Sequence, residues 1–243
     1  MGVIHTFRIA ELTLKTISNS SKIDILQLLP SFMPFLINQN KERLLLQLTI
    51  DEELQAISDN CKRIRTFDTG NGNIIVDLLQ DGGYEYVIKD IHNHPCCLLQ
   101  TDTNFTNCQC ALRWDTMHQS FGLNNALMIC FAFAGSRKKT LLLHASVVRN
   151  QGYGYAFTAK SGTVKSTHVA SWMKNIKDCD LMNDDNPVIR ILDGQPYIFG
   201  TPWSGKTACY RNIKAPIGGI AHIERAKKNE IKRLSPAEAF TTI

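Results

Sequence analysis

The stretch TAKSGTVKSTH at residues 158–168 carries the densest set of groups able to hold a phosphate. A loop of the type G-x-x-x-x-G-K-[ST] uses a lysine to reach the outer phosphates and a following hydroxyl to take a magnesium position. Successive backbone N–H groups and the next helix N-terminus point at the anion. Lys165, Ser166 and Thr167 stand in the required places, while Ala159 and Val164 stand where the two glycines belong. The candidate nucleotide-binding residues are therefore Ala159, Lys160, Ser161, Gly162, Thr163, Val164, Lys165, Ser166 and Thr167, and Ser166 is also a candidate metal ligand. The glycine before the lysine normally adopts positive φ, where a β-branched residue costs on the order of 1–2 kcal/mol unless the loop changes shape. Val164 thus puts the competence of the loop in question. Ala159 adds a single methyl and is milder.

A second group of residues supplies what phosphoryl transfer needs besides the loop. In CDLMNDDNPVIRI (179–191) the adjacent carboxylates Asp184 and Asp185 follow a short apolar run. One carboxylate can complete magnesium coordination and its neighbour can act as base toward an incoming hydroxyl. The pattern leaves open which of the two takes which role; taken alone, Asp-Asp-Asn-Pro also reads as a turn. His144 lies in LLLHASVV (141–148), an apolar setting in which a lone histidine is more often a core residue than a catalyst.

The elements that would position these groups follow from the pattern around them. LLLHASVV reads as a buried strand, RNQGYG (149–154) as a turn, YAFTA (155–159) as a second strand, and residues 166–176 as a helix. Strand, loop and helix in that order form the context a phosphate-binding loop requires. ILDGQPYIF (191–199) reads as a hairpin around Asp193-Gly194, and GTPWSGK (200–206) as a loop. Ser235-Pro236-Ala237-Glu238 is a capping box with proline at the first helical position. The helix it opens has few residues before Ile243, so the chain is expected either to be cut short or to end in an unusually brief helix.

Residues 1–139 read as a β-rich region with helical segments. Apolar residues recur at helical spacing after Ser20-Ser21 until Pro30 and Pro34 interrupt them. Leu44–Ile50 and Arg63–Thr69 are strand candidates, and Ile74–Gln80 with Tyr84–Ile91 form a hairpin across Asp81-Gly82-Gly83. Leu123–Ala134 is apolar enough to be a buried helix.

Composition bounds the function classes. With 243 residues, 44% hydrophobic and 20% charged, the chain is an ordinary globular protein and neither disordered nor fibrous. The formal charge is +5, but the longest basic runs are Arg137-Lys138-Lys139 and the group Arg225, Lys227 and Lys228, so nucleic acid is not an expected partner. No window approaches the roughly 18 apolar residues of a membrane span, and MGVIHTFRIAEL lacks a secretory apolar region. MGVIHT fits the loose myristoylation pattern only weakly. A cytoplasmic protein without a membrane partner is expected, its eight cysteines free in reducing surroundings. His92, His94, Cys96, Cys97, Cys108 and Cys110 are of zinc-ligand type, but their spacing matches no usual knuckle and they are expected to be unrelated loop residues.

Taken together, LLLHASVV, AKSGTVKST, the pair in LMNDDNPVIRI, and GTPWSGK followed by YRN resemble the HPr kinase and phosphoenolpyruvate carboxykinase-like P-loop superfamily, more narrowly its HPr-kinase-related members. The resemblance covers about residues 140–240 and is weak before them. It implies an α/β (α+β mixed-sheet) fold with a P-loop kinase core at 140–243, preceded by the β-rich region. It implies Mg²⁺-dependent transfer from ATP or another nucleoside triphosphate to a hydroxyl, a serine of a protein or peptide among the acceptors. In its terms Lys165 binds phosphate and Ser166 the metal, while one of Asp184 and Asp185 is a metal ligand and the other a base, with Asp184 favoured as the base. His144 lies beside the active site as a further catalytic candidate. Trp203, Ser204, Lys206 and Arg211 face the acceptor, where Lys206 and Arg211 could bind a phosphate or carboxylate. The alternative is a nucleotide-binding or regulatory protein with an impaired loop and little transferase activity. A carboxykinase-type lyase is disfavoured by the short chain.

Overall fold

The computed structural model describes residues 2–20, 22–38, 43–57, 61–160, 165–205 and 207–242. The chain divides into two compact units, Met1–Thr140 and Leu141–Ile243.

The first unit begins with β1 (Val3–Ile9) and β2 (Leu12–Ser18), then α1 (Ile25–Leu28) and a 3-10 helix (Pro30–Phe35). It continues through β3 (Leu44–Ile50), β4 (Cys61–Asp68), β5 (Asn73–Leu79), β6 (Tyr84–Lys89), β7 (Pro95–Thr101) and β8 (Asn107–Leu112) to α2 (Thr116–Ser136). The eight strands make one sheet in the order β1-β2-β3-β8-β7-β6-β5-β4. β2 with β3 and β3 with β8 pair in parallel, and the other neighbours are antiparallel.

The expected helix after Ser20 is split. Asp24 caps α1 through the amides of Leu26 and Gln27, and Pro30 with Pro34 turns the remainder into the 3-10 helix. α2 extends the expected apolar segment by seven residues at its start, because the Asp115 carboxylate caps Met117 and His118. Its Leu123, Ala126, Leu127, Cys130 and Phe131 are fully buried, and it packs on β7, β8 and β3. Gly122 permits this approach: a Cβ there would lie 2.7 Å from Cys97 Cβ and 2.9 Å from the Cys96 carbonyl oxygen.

The second unit contains β9 (Thr140–Leu142), β10 (Ala145–Asn150), β11 (Tyr153–Thr158), α3 (Lys165–Asn175), β12 (Cys179–Asp185), β13 (Val188–Leu192), β14 (Gln195–Phe199), β15 (Lys214–His222) and α4 (Pro236–Thr242). The strands form a seven-stranded sheet in the order β12-β10-β11-β15-β14-β13-β9. Two-residue turns close its hairpins with positive φ at both positions, Gln151 (49°) and Gly152 (82°), then Asp193 (48°) and Gly194 (79°). Leu143, Ala145, Val147, Ala156, Met182 and Ile198 form one core cluster, while Val148, Phe157 and Val169 form another against α3.

This architecture corrects the expected α/β P-loop kinase core. The described residues are 43% strand and 21% helix, in two large mixed sheets. An α/β core needs a mostly parallel sheet with helices on both faces. Here β11 with β15 is parallel, whereas the β10–β11, β10–β12, β13–β14 and β14–β15 pairs are antiparallel. The strand, loop and helix around residues 153–175 are present, but they are a local unit within a β-dominated sheet. Extending the motif resemblance to the whole core gave the wrong class.

Candidate functional site

The expected strand 141–148 is interrupted, and the interruption makes the site. After β9 the Leu143 amide bonds the Pro187 carbonyl at 3.0 Å, and pairing resumes only at Ala145. His144 therefore projects from a break between strands, with its side chain 56% exposed, instead of entering the core. Its Nε2 lies 2.8 Å from Lys165 Nζ and 3.5 Å from Asp185 Oδ1. Lys165, the first residue of α3, is 92% buried (8% exposed), so its ammonium is aimed along a fixed direction.

The carboxylate pair sits at the end of β12. Antiparallel register sets Ser146 of β10 directly across from Asp184, and the Ser146 hydroxyl donates to Asp184 Oδ1 at 2.6 Å. Ser166 Oγ lies 3.4 Å from the same oxygen. Asp184 is buried; Asp185 is partly exposed and has φ 149°, a left-handed value that residues other than glycine rarely adopt. That turn lets two sequence neighbours serve different groups: Asp184 faces the serines and Asp185 faces His144. Asn186 Nδ2 donates to Asp185 Oδ2 at 2.9 Å, which orients the second carboxylate.

The motif resemblance favoured Asp185 as the metal ligand and Asp184 as the base. The structure puts the Asp184 oxygen, not that of Asp185, beside Ser166. Ser146 was not singled out by the sequence at all. Its signal was available: a small hydroxyl in an otherwise apolar strand, two residues after the histidine.

The remaining candidates distribute as follows. Ala159 is half-buried and Lys160, Ser166 and Thr167 are exposed. Ser161, Gly162, Thr163, Val164 and Lys206 lie outside the described residues. Trp203 is buried; its carbonyl accepts the Asn186 amide at 3.2 Å, so it supports the turn after the carboxylates. Ser204 Oγ accepts the Asp184 amide at 3.3 Å and lies 2.7 Å from the Thr207 carbonyl oxygen. Arg211 is not brought to this cluster. It donates to Asp180 at 2.7 Å, and Arg149 grips the same carboxylate at 2.9 and 3.1 Å. Asp180 is four residues before Asp184 on β12, roughly 13 Å along the strand. Partial burial works to raise the Asp180 carboxyl, but the two arginines outweigh it and hold it below the usual range.

In the first unit, the cysteines of the supposed loop cluster lie on β7 and β8. Cys96, Cys97, Cys108 and Cys110 are buried. A hydrogen bond with Cys97, reinforced by burial, pushes the Cys110 thiol well up, which disfavours the thiolate that a metal would need. The expectation of loop residues is thus corrected: the cysteines are core residues of a sheet. Among the described residues, no helix is long and apolar enough to cross a membrane.

Chemically, the second-unit cluster offers a buried cation, two hydroxyls on one carboxylate, and a carboxylate with an imidazole beside it. The oxygen donors of Ser166 and Asp184 suit a hard cation such as Mg²⁺, whose adjacent ligands lie roughly 3 Å apart. No family model and no curated protein matches this chain.

Proposed function

We propose that residues 141–242 form a magnesium-dependent phosphotransferase that takes a phosphoryl group from ATP or another nucleoside triphosphate and delivers it to a hydroxyl. The observation supporting this reading is the convergence of Lys165, Ser166, Asp184, Asp185 and His144 from three separate places in the chain, with His144 between Lys165 and Asp185 and Ser166 beside Asp184. The motif resemblance to HPr-kinase-related proteins points the same way. The reading needs the residues and not the α/β core.

In this scheme Lys165 places its charge on the outer phosphates, and Ser166 with Asp184 holds the magnesium ion. When bound, that ion neutralises charge on the transferring group. Ser146 fixes the Asp184 carboxylate by donating to it. Asp185 and His144 stand on the other side, where one receives the proton of the acceptor hydroxyl. Free cysteines, most of them buried, support a reducing, cytoplasmic setting.

A binding or regulatory protein with little transferase activity is the second reading. It is favoured by Val164 at the glycine position and by a Lys165 ammonium already engaged with His144. Calorimetric titration of ATP and ADP, with and without Mg²⁺, on wild type and Lys165→Ala tests both. Magnesium-dependent binding that the variant loses supports a live phosphate site. Absence of binding to the wild type rejects the transferase. Val164→Gly then separates the readings: a transferase keeps or gains turnover, and a fall shows a loop shaped around valine.

A further inference from the structure

The first unit holds an independent cluster at the β6–β7 turn and the start of α2. Asp90 Oδ2 lies 3.1 Å from His94 Nδ1 and 3.3 Å from His118 Nε2. All three ligand-type atoms fall within 4.8 Å of one another. We propose that Asp90, His94 and His118 bind a divalent transition-metal ion of the zinc class, leaving at least one coordination position to water.

Three features of the geometry carry the proposal. First, tetrahedral ligands about 2.0–2.1 Å from zinc are themselves roughly 3.3 Å apart. Both imidazole nitrogens already stand at that spacing from one carboxylate oxygen, so little rearrangement is needed to admit the ion. Second, the carboxylate is preset. Asp90 Oδ1 accepts the amides of His92 at 2.9 Å and His94 at 2.8 Å, which leaves Oδ2 facing the two rings. Third, His118 has an outer partner: its Nδ1 lies 2.7 Å from Asp115 Oδ1 while Nε2 faces Asp90. A carboxylate that fixes the far nitrogen is the usual way a protein sets the tautomer and aim of a metal-binding histidine.

The surroundings fit an accessible ion. Asp90 and His118 side chains are 16% and 17% exposed, whereas His94 is 46% exposed, so the cluster opens on the His94 side. Trp114 stands beside that opening, its ring 5.2 Å from that of His94. Two imidazoles and one carboxylate favour zinc, nickel or cobalt over magnesium or calcium. Without an ion, a proton on either ring can hold the same spacing. Metal binding therefore competes with protons and weakens as the pH falls.

The test is Zn²⁺ titration of the full chain by calorimetry, with Co²⁺ absorption as a second measurement. One equivalent should bind the wild type, and His118→Ala should weaken it by at least the roughly 10–100-fold seen on loss of an outer partner. Asp115→Asn should weaken it too, while His92→Ala leaves it unchanged. The Co²⁺ complex should show visible d–d bands without thiolate-to-metal charge transfer. Equal binding by wild type and the double variant His94→Ala/His118→Ala overturns the site. So does a thiolate band in the wild type, which would assign the ion to cysteine and needs no variant to fold.

Discussion

Lys165 Nζ and His144 Nε2 lie 2.8 Å apart. The contact joins the first turn of α3 to the break between β9 and β10. On the phosphotransferase reading, a substitution at either residue acts on both phosphate capture and proton handling.

His144→Gln and His144→Leu separate those two effects. Glutamine retains an acceptor for Lys165 and should leave nucleotide affinity nearly unchanged, while turnover falls about 10²–10⁴-fold if the imidazole moves the acceptor's proton. Leucine should alter affinity as well. Calorimetry beside a steady-state assay measures the split, and undiminished turnover in the glutamine variant would assign proton transfer to Asp185.

Ser146→Ala removes a hydroxyl that donates to a buried carboxylate. Hydrogen bonds to charged groups contribute about 1.5–3 kcal/mol, so urea unfolding should show a loss of that size for the second unit. Converting both partners, Ser146→Ala with Asp184→Leu, should cost less than the sum of the single changes, because no buried charge is left without its donor.

Gly122→Ala tests the seating of α2. The added methyl would stand 2.9 Å from a backbone carbonyl oxygen as well as against Cys97. Overpacking of this kind costs about 1–3 kcal/mol. The thermal transition of the first unit should fall and that of the second should not. Near-wild-type stability would mean that α2 can shift along β7.

Asp102 gives the first unit an acid limb. Partial burial works to raise its carboxyl, but hydrogen bonds from Thr106 and Asn107 prevail and hold it below the ordinary value. A depressed carboxyl contributes stability that is fully present above its unfolded pKa, about 3.9, and lost as the pH falls through the folded one. Unfolding free energy should decline below about pH 4 in the wild type. Asp102→Asn should be weaker at neutral pH and show a shallower decline, as denaturant titrations at several pH values would reveal.

The sequence made the glycine-marked hairpins and the reciprocal capping box legible. Asp193-Gly194 turns where expected, and Ser235 and Glu238 exchange side-chain-to-amide bonds at 2.8 and 3.3 Å. The first hairpin was not legible, since Ala10 (φ 49°) and Glu11 (φ 60°) make its turn without any residue type that favours left-handed backbone. The core reading of His144 failed because hydropathy reports the mean character of LLLHASVV and not the break that its neighbour Leu143 makes with Pro187, whereas the motif resemblance set the residue beside the site. The difference in surroundings between Asp184 and Asp185 was equally hidden. It depends on one backbone angle and on the register of β10 against β12, neither of which adjacent aspartates encode.

That angle also bears on how such a chain could evolve. Backbone in that region costs about 1–3 kcal/mol for a residue with a side chain, and glycine would remove most of it while adding some chain entropy to the unfolded state. On the phosphotransferase reading, position 185 is one at which selection for robustness and selection for chemistry pull in opposite directions. Asp185→Gly should give a chain as stable as its parent or more so, yet without the carboxylate beside His144. A lineage with no use for that carboxylate would drift toward glycine there, and one that depends on it would keep the strained aspartate.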